Sequence, residues 1–190
     1  ITEHDKASGK IETAIINRLA EFLHMEEMGE VYDLIILDTG PSRSPIFNGA
    51  LHAATHGVIP FELEEKSIQG INAMIQAVTS ENFSRKKENE LKLLGLIPNK
   101  VRNTSLHTKT IEALRNKLPK HMPPKDIYLP LSTKFPERDV KGINPKSIYQ
   151  ISDSHLANIK SRVVSSWIIE KLFSASPRGT TQAEELVAHE

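Results

Sequence analysis

The chain has 190 residues, of which 38% are hydrophobic and 25% are charged, and its formal net charge is zero. This size and composition predict a globular domain with a continuous core, and no window approaches the roughly 18 consecutive apolar residues that a membrane span requires. The absence of cysteine excludes disulfides and thiolate metal sites, and it fits a cytoplasmic location. The first residue is Ile rather than Met, so we expect an N-terminal segment to be missing.

The neutral total conceals an uneven distribution of charge. Residues 1–80 carry 5 Lys and Arg against 12 Asp and Glu, whereas residues 81–150 carry 15 against 7. A basic middle predicts a localised positive surface that could meet a polyanion. The alternative is that these charges are scattered over solvated loops and helix faces.

Apolar periodicity predicts strands that alternate with helices along the chain. The predicted helices cover residues 10–28, 44–54, 67–78, 108–118 and 153–172. The predicted strands cover residues 31–37, 56–61, 91–100 and 126–131. This alternation is typical of a layered α/β domain with a parallel sheet. We expect this domain to occupy residues 1–174 and residues 175–190 to form a flexible tail.

Asp38, Thr39 and Gly40 directly follow the first predicted strand. Aspartic proteases use the same triplet, but they need two such carboxylates and are nearly all β, and the chain has only one copy. An aspartate at the carboxyl end of a buried parallel strand lies where open sheets bind ligands, and it can hold magnesium through water. The alternative is an aspartate that only caps the following turn.

Two further patterns are weaker candidates for sites. Gly9 and Lys10 match the end of a phosphate-binding loop by composition alone, since no strand precedes them and Ile11 follows where Ser or Thr would bind magnesium. His52 and His56 have the spacing of two metal ligands on a helix, but no third ligand is evident. We therefore interpret both patterns as structural.

Residues 32–71 resemble the Walker B and switch II region of ParA/MinD-type partition ATPases. The matching order comprises Tyr32-Asp33, Asp38-Thr39, Pro41, Asn48, Ala50-Leu51, Ile59-Pro60 and Ser67 through Gly70. Downstream, "LLGLIPNKVRNTS" resembles the family strand that ends in an asparagine contacting adenine, which corresponds to Asn99. The match extends over roughly residues 31–173, and Gly40 departs from the proline of many members.

The resemblance implies an α/β fold of the P-loop NTPase type with a parallel sheet between two layers of helices. It implies an ATPase that forms a homodimer around two ATP molecules, binds double-stranded DNA nonspecifically and works with a ParB-like partner on the nucleoid. Asp38 would be catalytic and hold Mg²⁺ through water, Thr39 and Gly40 would form switch II, and Pro41 and Asn99 would contact the nucleotide. From the charge distribution we assign the DNA surface to Arg85, Lys86, Lys87, Lys100 and Arg102.

One family motif is absent from residues 1–190, namely the phosphate-binding Walker A loop, Lys-Gly-Gly-x-Gly-Lys-Thr/Ser. We expect the N-terminal strand and this loop to lie outside the chain, which by itself should then be inactive and bind ATP weakly or not at all. One alternative is a ParA-fold adaptor without ATPase activity. Another is a MinD-like positioning ATPase, which would use a basic amphipathic C-terminal helix to reach a membrane; "TTQAEELVAHE" lacks this character.

Overall fold

The computed structural model describes residues 3–40, 44–138 and 147–173, and the chain divides after Pro123 into two compact units. The first unit contains α1 (Glu3–Leu23), α2 (Glu26–Val31), α3 (Pro45–Ala53), β1 (His56–Glu62), α4 (Glu65–Ser84), β2 (Lys92–Asn99) and α5 (Ser105–Lys117). The second unit contains α6 (Leu156–Phe173) and two short 3-10 turns, Pro136–Arg138 and Ile148–Gln150. No helix of the described residues is long and apolar enough to cross a membrane.

β1 and β2 pair in parallel and form the two-stranded sheet of the described residues. The long helix α4 connects them, as expected for parallel neighbours that no tight turn can join. This arrangement confirms the predicted α/β class and the predicted strands over residues 56–61 and 91–100.

The core of the first unit lies where the two strands meet α4 and α5. Its buried members are Ile59, Phe61, Ile71, Leu96 and Leu114. The backbone N–H of Leu96 donates to the carbonyl of His121 at 2.9 Å, so this fully buried strand residue also keeps its hydrogen bond.

The start of α3 follows the sequence prediction. Ser44 is its N-cap, and the Ser44 hydroxyl accepts a hydrogen bond from the N–H of Phe47 at 3.2 Å, with Pro45 in the first turn. Gly49 allows α3 to approach α1 closely, because a Cβ added there would lie 3.4 Å from Cα of Ile16.

Arg85 fastens the other end of α3 to α4. Its guanidinium donates to the carbonyls of Leu51 and His52 in the last turn of α3 and to that of its C-cap, Ala54. These carbonyls have no partner further along the helix. Glu81 accepts from Arg85 Nε at 2.9 Å and lies 2.9 Å from His52 Nδ1. A cation at a helix C-terminus is also favoured by the helix dipole. We call Arg85, Glu81 and His52 the α3 clamp.

The predicted strand over residues 31–37 is not present. Val31 ends α2, Asp33 lies in a bend, and residues 32–40 have no regular secondary structure and no ladder partner. Val31 is 68% exposed and Ile36 is 81% exposed. The β-branched composition predicted this strand wrongly, because composition does not supply the neighbour that a strand requires, and among the described residues β1 and β2 pair only with each other.

Two smaller predictions are also wrong. The fourth predicted strand, residues 126–131, is reduced to a single bridge residue at Pro130, because proline has no N–H to donate to a ladder. Ser67 does not cap a helix, since α4 begins earlier, at Glu65, and the Ser67 hydroxyl accepts from the N–H of Glu62 at 2.9 Å.

The second unit confirms the predicted closing helix, which begins at Leu156 rather than at Asp153. The fully buried Asn158 anchors it: its Nδ2 donates to the carbonyl of Ile151 at 2.9 Å, and its Oδ1 accepts from Arg162 Nε at 2.7 Å. The predicted tail, residues 175–190, lies outside the described residues.

Leu96→Ala should lower the free energy of unfolding by about 3 kcal/mol, because it removes a fully buried side chain and leaves a cavity. Urea unfolding of the 190-residue chain measures this change. Leu106→Ala is the control, since Leu106 is 70% exposed on α5 and its loss should cost less than about 0.5 kcal/mol. Equal losses for the two variants would contradict the assigned core.

Arg85→Met should lower the free energy of unfolding by about 2–4 kcal/mol, because Glu81 and the carbonyls of α3 would lose a largely buried charged donor. The neighbouring Lys86 is exposed, so Lys86→Met should change it by less than about 0.5 kcal/mol. Urea unfolding compares the two variants. If they are equally stable, Arg85 does not hold α3 as described.

Candidate functional site

The carboxyl ends of β1 and β2 meet at one edge of the sheet. Glu62 ends β1, Asn99 ends β2, and the two residues are register partners. Ligands of open parallel sheets bind outside this edge. The structure therefore places Asn99, the predicted adenine contact, at the expected edge and brings a carboxylate beside it.

Lys100 connects these two strand ends. Its ammonium lies 2.6 Å from Glu62 Oε1, and its backbone N–H donates to Asn99 Oδ1 at 2.9 Å. The hydrogen bond to Glu62 and the negative charge of Glu62 raise the pKa of Lys100. Lys100 also has a φ of 51°, a left-handed conformation that costs a non-glycine residue about 1–2 kcal/mol. Such strain at a strand end is typical of functional sites.

Asp38, Thr39 and Gly40 are exposed and lie in the irregular segment that follows α2. Asp38 forms no hydrogen bond or ion pair with another described residue, and Pro41 lies outside the described residues. The structure thus does not hold Asp38 at the end of a paired strand. A single carboxylate still suits magnesium, which keeps several waters and takes its other ligands from phosphate.

The five predicted DNA-binding residues do not form one patch. Lys86 and Lys87 are exposed before the start of β2, whereas Lys100 and Arg102 follow its end. The seven steps between Lys92 and Asn99 correspond to roughly 23 Å at the usual rise per residue. Arg85 belongs to the α3 clamp and does not lie in an open loop as predicted. Its guanidinium donates to backbone carbonyls and is therefore not free to contact DNA phosphates.

The two histidines with metal-ligand spacing have other partners. His52 contacts Glu81, and His56 Nδ1 lies 3.0 Å from the hydroxyl of Thr55. Burial, aided by the charge of its register partner Lys92, lowers the pKa of His56. Among the described residues no three His, Asp or Glu side chains are grouped as a metal site.

Sequence reasoning did not identify the pair of Glu62 with Asn99 or the α3 clamp. The acidic stretch at residues 62–66 follows a predicted strand and predicts either a mostly solvated surface or a rim of the nucleotide site, and only the strand register shows that Glu62 faces Asn99. The four-residue spacing of Glu81 and Arg85 was a usable signal, since such pairs stabilise helices and α4 indeed continues to Ser84.

The model of one protein family, described as an AAA domain, matches residues 6–93. Protein IncC of Escherichia coli is 34% identical over 74 residues, which are 39% of this chain and 20% of IncC. The chromosome-partitioning ATPase Soj of Thermus thermophilus is 32% identical over 84 residues, which are 44% of this chain and 33% of Soj. The chain therefore spans about a fifth to a third of the length of these relatives.

The fold is similar to that of McdA from Cyanothece. The apo structure has a TM-score of 0.59 at 18% identity, covering 85% of this chain and 60% of the McdA chain. An ATP complex of a McdA variant has a TM-score of 0.52 at 21% identity, covering 72% of this chain and 50% of McdA. At these identities the likeness shows the fold alone. The family match and the two relatives, IncC and Soj, agree with the resemblance of the chain to ParA/MinD-type partition ATPases.

Proposed function

We propose that this chain is part of a DNA-partition ATPase that binds ATP with Mg²⁺, forms a homodimer and binds double-stranded DNA without sequence preference. The observation that carries this proposal is the position of Asn99 at the ligand-binding edge of the sheet, in a relative of the chromosome-partitioning ATPase Soj. We also propose that the protein works with a ParB-like partner and is located in the cytoplasm, in association with the nucleoid.

Phosphoryl transfer needs positioning and charge neutralisation more than covalent help from the protein. When bound, the magnesium ion would neutralise charge on the transferring phosphoryl group. Asp38 would hold it through water, and Thr39, Gly40 and Pro41 would form the turn beside the terminal phosphate. Asn99 would contact adenine at the carboxyl edge. Residues 1–190 contain no Walker A loop, so a phosphate-binding loop from another part of the encoded protein is required.

Residues 32–37 have the apolar, β-branched composition of a strand but no described strand beside them. If they paired within a sheet covered on both faces, Ile36 would become buried, and such a side chain contributes roughly 1.5–3 kcal/mol when fully buried. A paired strand would also carry Asp38 to the carboxyl edge, where Asn99 already lies.

The second candidate function is a ParA-fold adaptor that binds DNA or a partner without hydrolysing ATP. The absence of a Walker A loop from residues 1–190 favours it. An ATP hydrolysis assay on the full-length product beside the 190-residue chain separates the two functions, because only the ATPase should turn over ATP when the encoded protein is intact.

Asp38→Ala should abolish magnesium-dependent ATP turnover in the full-length product while the protein stays folded, because the ion would lose its carboxylate. Asp33→Ala is the matched control, since Asp33 is an exposed aspartate of the same segment and should leave turnover unchanged. Phosphate release and circular dichroism measure turnover and folding. If Asp38→Ala hydrolyses ATP at the normal rate, Asp38 does not hold the magnesium ion.

The paired substitution Lys86→Ala with Lys87→Ala should weaken binding to duplex DNA and reduce the salt slope of log K by about 2 units, since each lysine neutralises roughly one phosphate. Both side chains are exposed and form no ion pair with a described residue. Fluorescence anisotropy over a salt titration, with ATP-loaded full-length protein, measures both quantities.

The pair Lys100→Ala with Arg102→Ala tests the opposite end of β2 separately. Lys66→Ala is the control, because Lys66 is exposed but lies in the acidic half of the chain. Arg85 is left intact because its loss should destabilise α3. Lys66→Ala should bind duplex DNA as the wild type does. If both double variants also bind it as tightly as the wild type, the basic residues of 81–150 form only a solvated face.

A further inference from the structure

The α4–β2 loop, residues 85–91, is closed by a single side chain. Asn82, in the last turn of α4, binds both polar groups of the Leu91 backbone: its Oδ1 accepts from the Leu91 N–H at 2.8 Å, and its Nδ2 donates to the Leu91 carbonyl at 3.0 Å. Leu91 is only 2% exposed, so this end of the loop is anchored in the interior. The two ends of the loop therefore cannot separate without losing both hydrogen bonds.

Further hydrogen bonds hold the loop from within. Nη1 of Arg85, which belongs to the α3 clamp, also donates to the carbonyl of Asn89 at 3.1 Å, and the N–H of Asn89 donates to the carbonyl of Lys86 at 2.9 Å. The Ser84 hydroxyl donates to the carbonyl of Glu81 at 2.8 Å and secures the end of α4. A segment that is ordered in this way before binding loses little conformational entropy when it meets a ligand.

This ordered segment presents one aromatic side chain and two cations to solvent. Phe83, in the last turn of α4, is 86% exposed, the largest value among the exposed large hydrophobic side chains of the described residues. Lys86 and Lys87 are exposed, and neither forms an ion pair with a described residue. A single exposed apolar side chain is ordinary on a protein surface, but this one closely precedes two free cations on a segment that is held in place. The combination suits a ligand that has both negative charges and an apolar face.

Duplex DNA combines these two properties, since its phosphates are charged and its stacked bases are apolar. Proteins that bend DNA insert an apolar side chain such as phenylalanine between base pairs, and lysine and arginine neutralise the phosphates. Lysine is depleted at interfaces between proteins, whereas interfaces with DNA are much more positively charged. The two free lysines therefore favour DNA over a protein partner as the ligand of Phe83.

The hydrogen bonds of the loop give Phe83 the support that insertion requires. Separating two stacked base pairs costs free energy, which a side chain can supply only if its own segment does not give way. Glu88 and Glu90 are exposed on the far half of the loop and would repel phosphate, so the contact is confined to the part from Phe83 to Lys87. An inserted ring forms no hydrogen bond to a base edge, which agrees with binding that has no sequence preference.

We propose that Phe83 is a wedge that inserts between base pairs of duplex DNA and bends it, while Lys86 and Lys87 bind the adjacent phosphates. This inference rests on the DNA binding of the proposed function and adds an apolar contact to it. It gives Phe83 a role that the charge distribution alone does not predict.

Salt titrations of duplex binding by ATP-loaded full-length protein test the apolar contact. Phe83→Ala should weaken binding about tenfold at every salt concentration and leave the salt slope unchanged, because an apolar contact releases no counterions. Phe83→Leu should retain most of the affinity, since leucine also acts as a wedge. Leu106→Ala is the matched control, because Leu106 is an exposed apolar residue of α5, and it should bind as the wild type does.

Energy transfer between dyes at the two ends of a short duplex tests the bend. The wild type should bring the ends closer by a kink of roughly 20–90°, whereas Phe83→Ala should not, even at a concentration that saturates the duplex. A duplex that the wild type leaves straight, or an equal bend with Phe83→Ala, overturns the wedge. Unchanged affinity in Phe83→Ala also overturns it and leaves Phe83 as a contact for a protein partner. If the wild type does not bind duplex at all, the proposed DNA binding is overturned together with the wedge.

Discussion

The parallel pairing of β1 with β2 is the constraint on which the first unit depends. Parallel strands cannot be joined by a tight turn, so α4 must cross over the sheet, and both faces of such strands need cover. The central residues of β2, from Gly95 to Pro98, are accordingly buried. Since the carboxyl ends of parallel strands meet at one edge, the same pairing brings Glu62 and Asn99 together without any dedicated loop.

The sequence predicted those features that depend on nearby residues. Short apolar runs identified β1 and β2, and Ser44 with Pro45 identified the start of α3, because the cap lies within one turn of the groups it satisfies. Asn99 was identified by resemblance and lies at the expected edge. The α/β class followed from the alternation of these elements.

Features that depend on distant partners could not be predicted in this way. Residues 31–37 have the composition of a strand, but composition does not supply the neighbour that a strand needs. Counting charges placed Arg85 on a polar surface, although carbonyls more than 30 positions away in the chain surround its guanidinium. The ion pair of Lys100 with Glu62 likewise appears only when the strands are paired.

Exposed cations lie at both ends of β2, but their surroundings differ. At the amino end, Lys86 and Lys87 are exposed cations without a described ion-pair partner, as suits contact with a large polyanion. At the carboxyl end, the ammonium of Lys100 is paired with Glu62, so its charge is partly neutralised before any ligand arrives.

The register of the sheet contains one irregularity. Gly57 faces Leu93 but Val58 faces Gly95, so Leu94 is an extra residue in β2. With a uniform register Glu62 would face Pro98, which offers no N–H and no polar side chain, and the edge would lack its pair of polar groups. The extra residue Leu94 therefore sets which residues face each other at the carboxyl ends of the two strands. A change in the middle of β2 would alter that pairing at its far end. A deletion at this position would move Asn99 out of register with Glu62 without changing either residue.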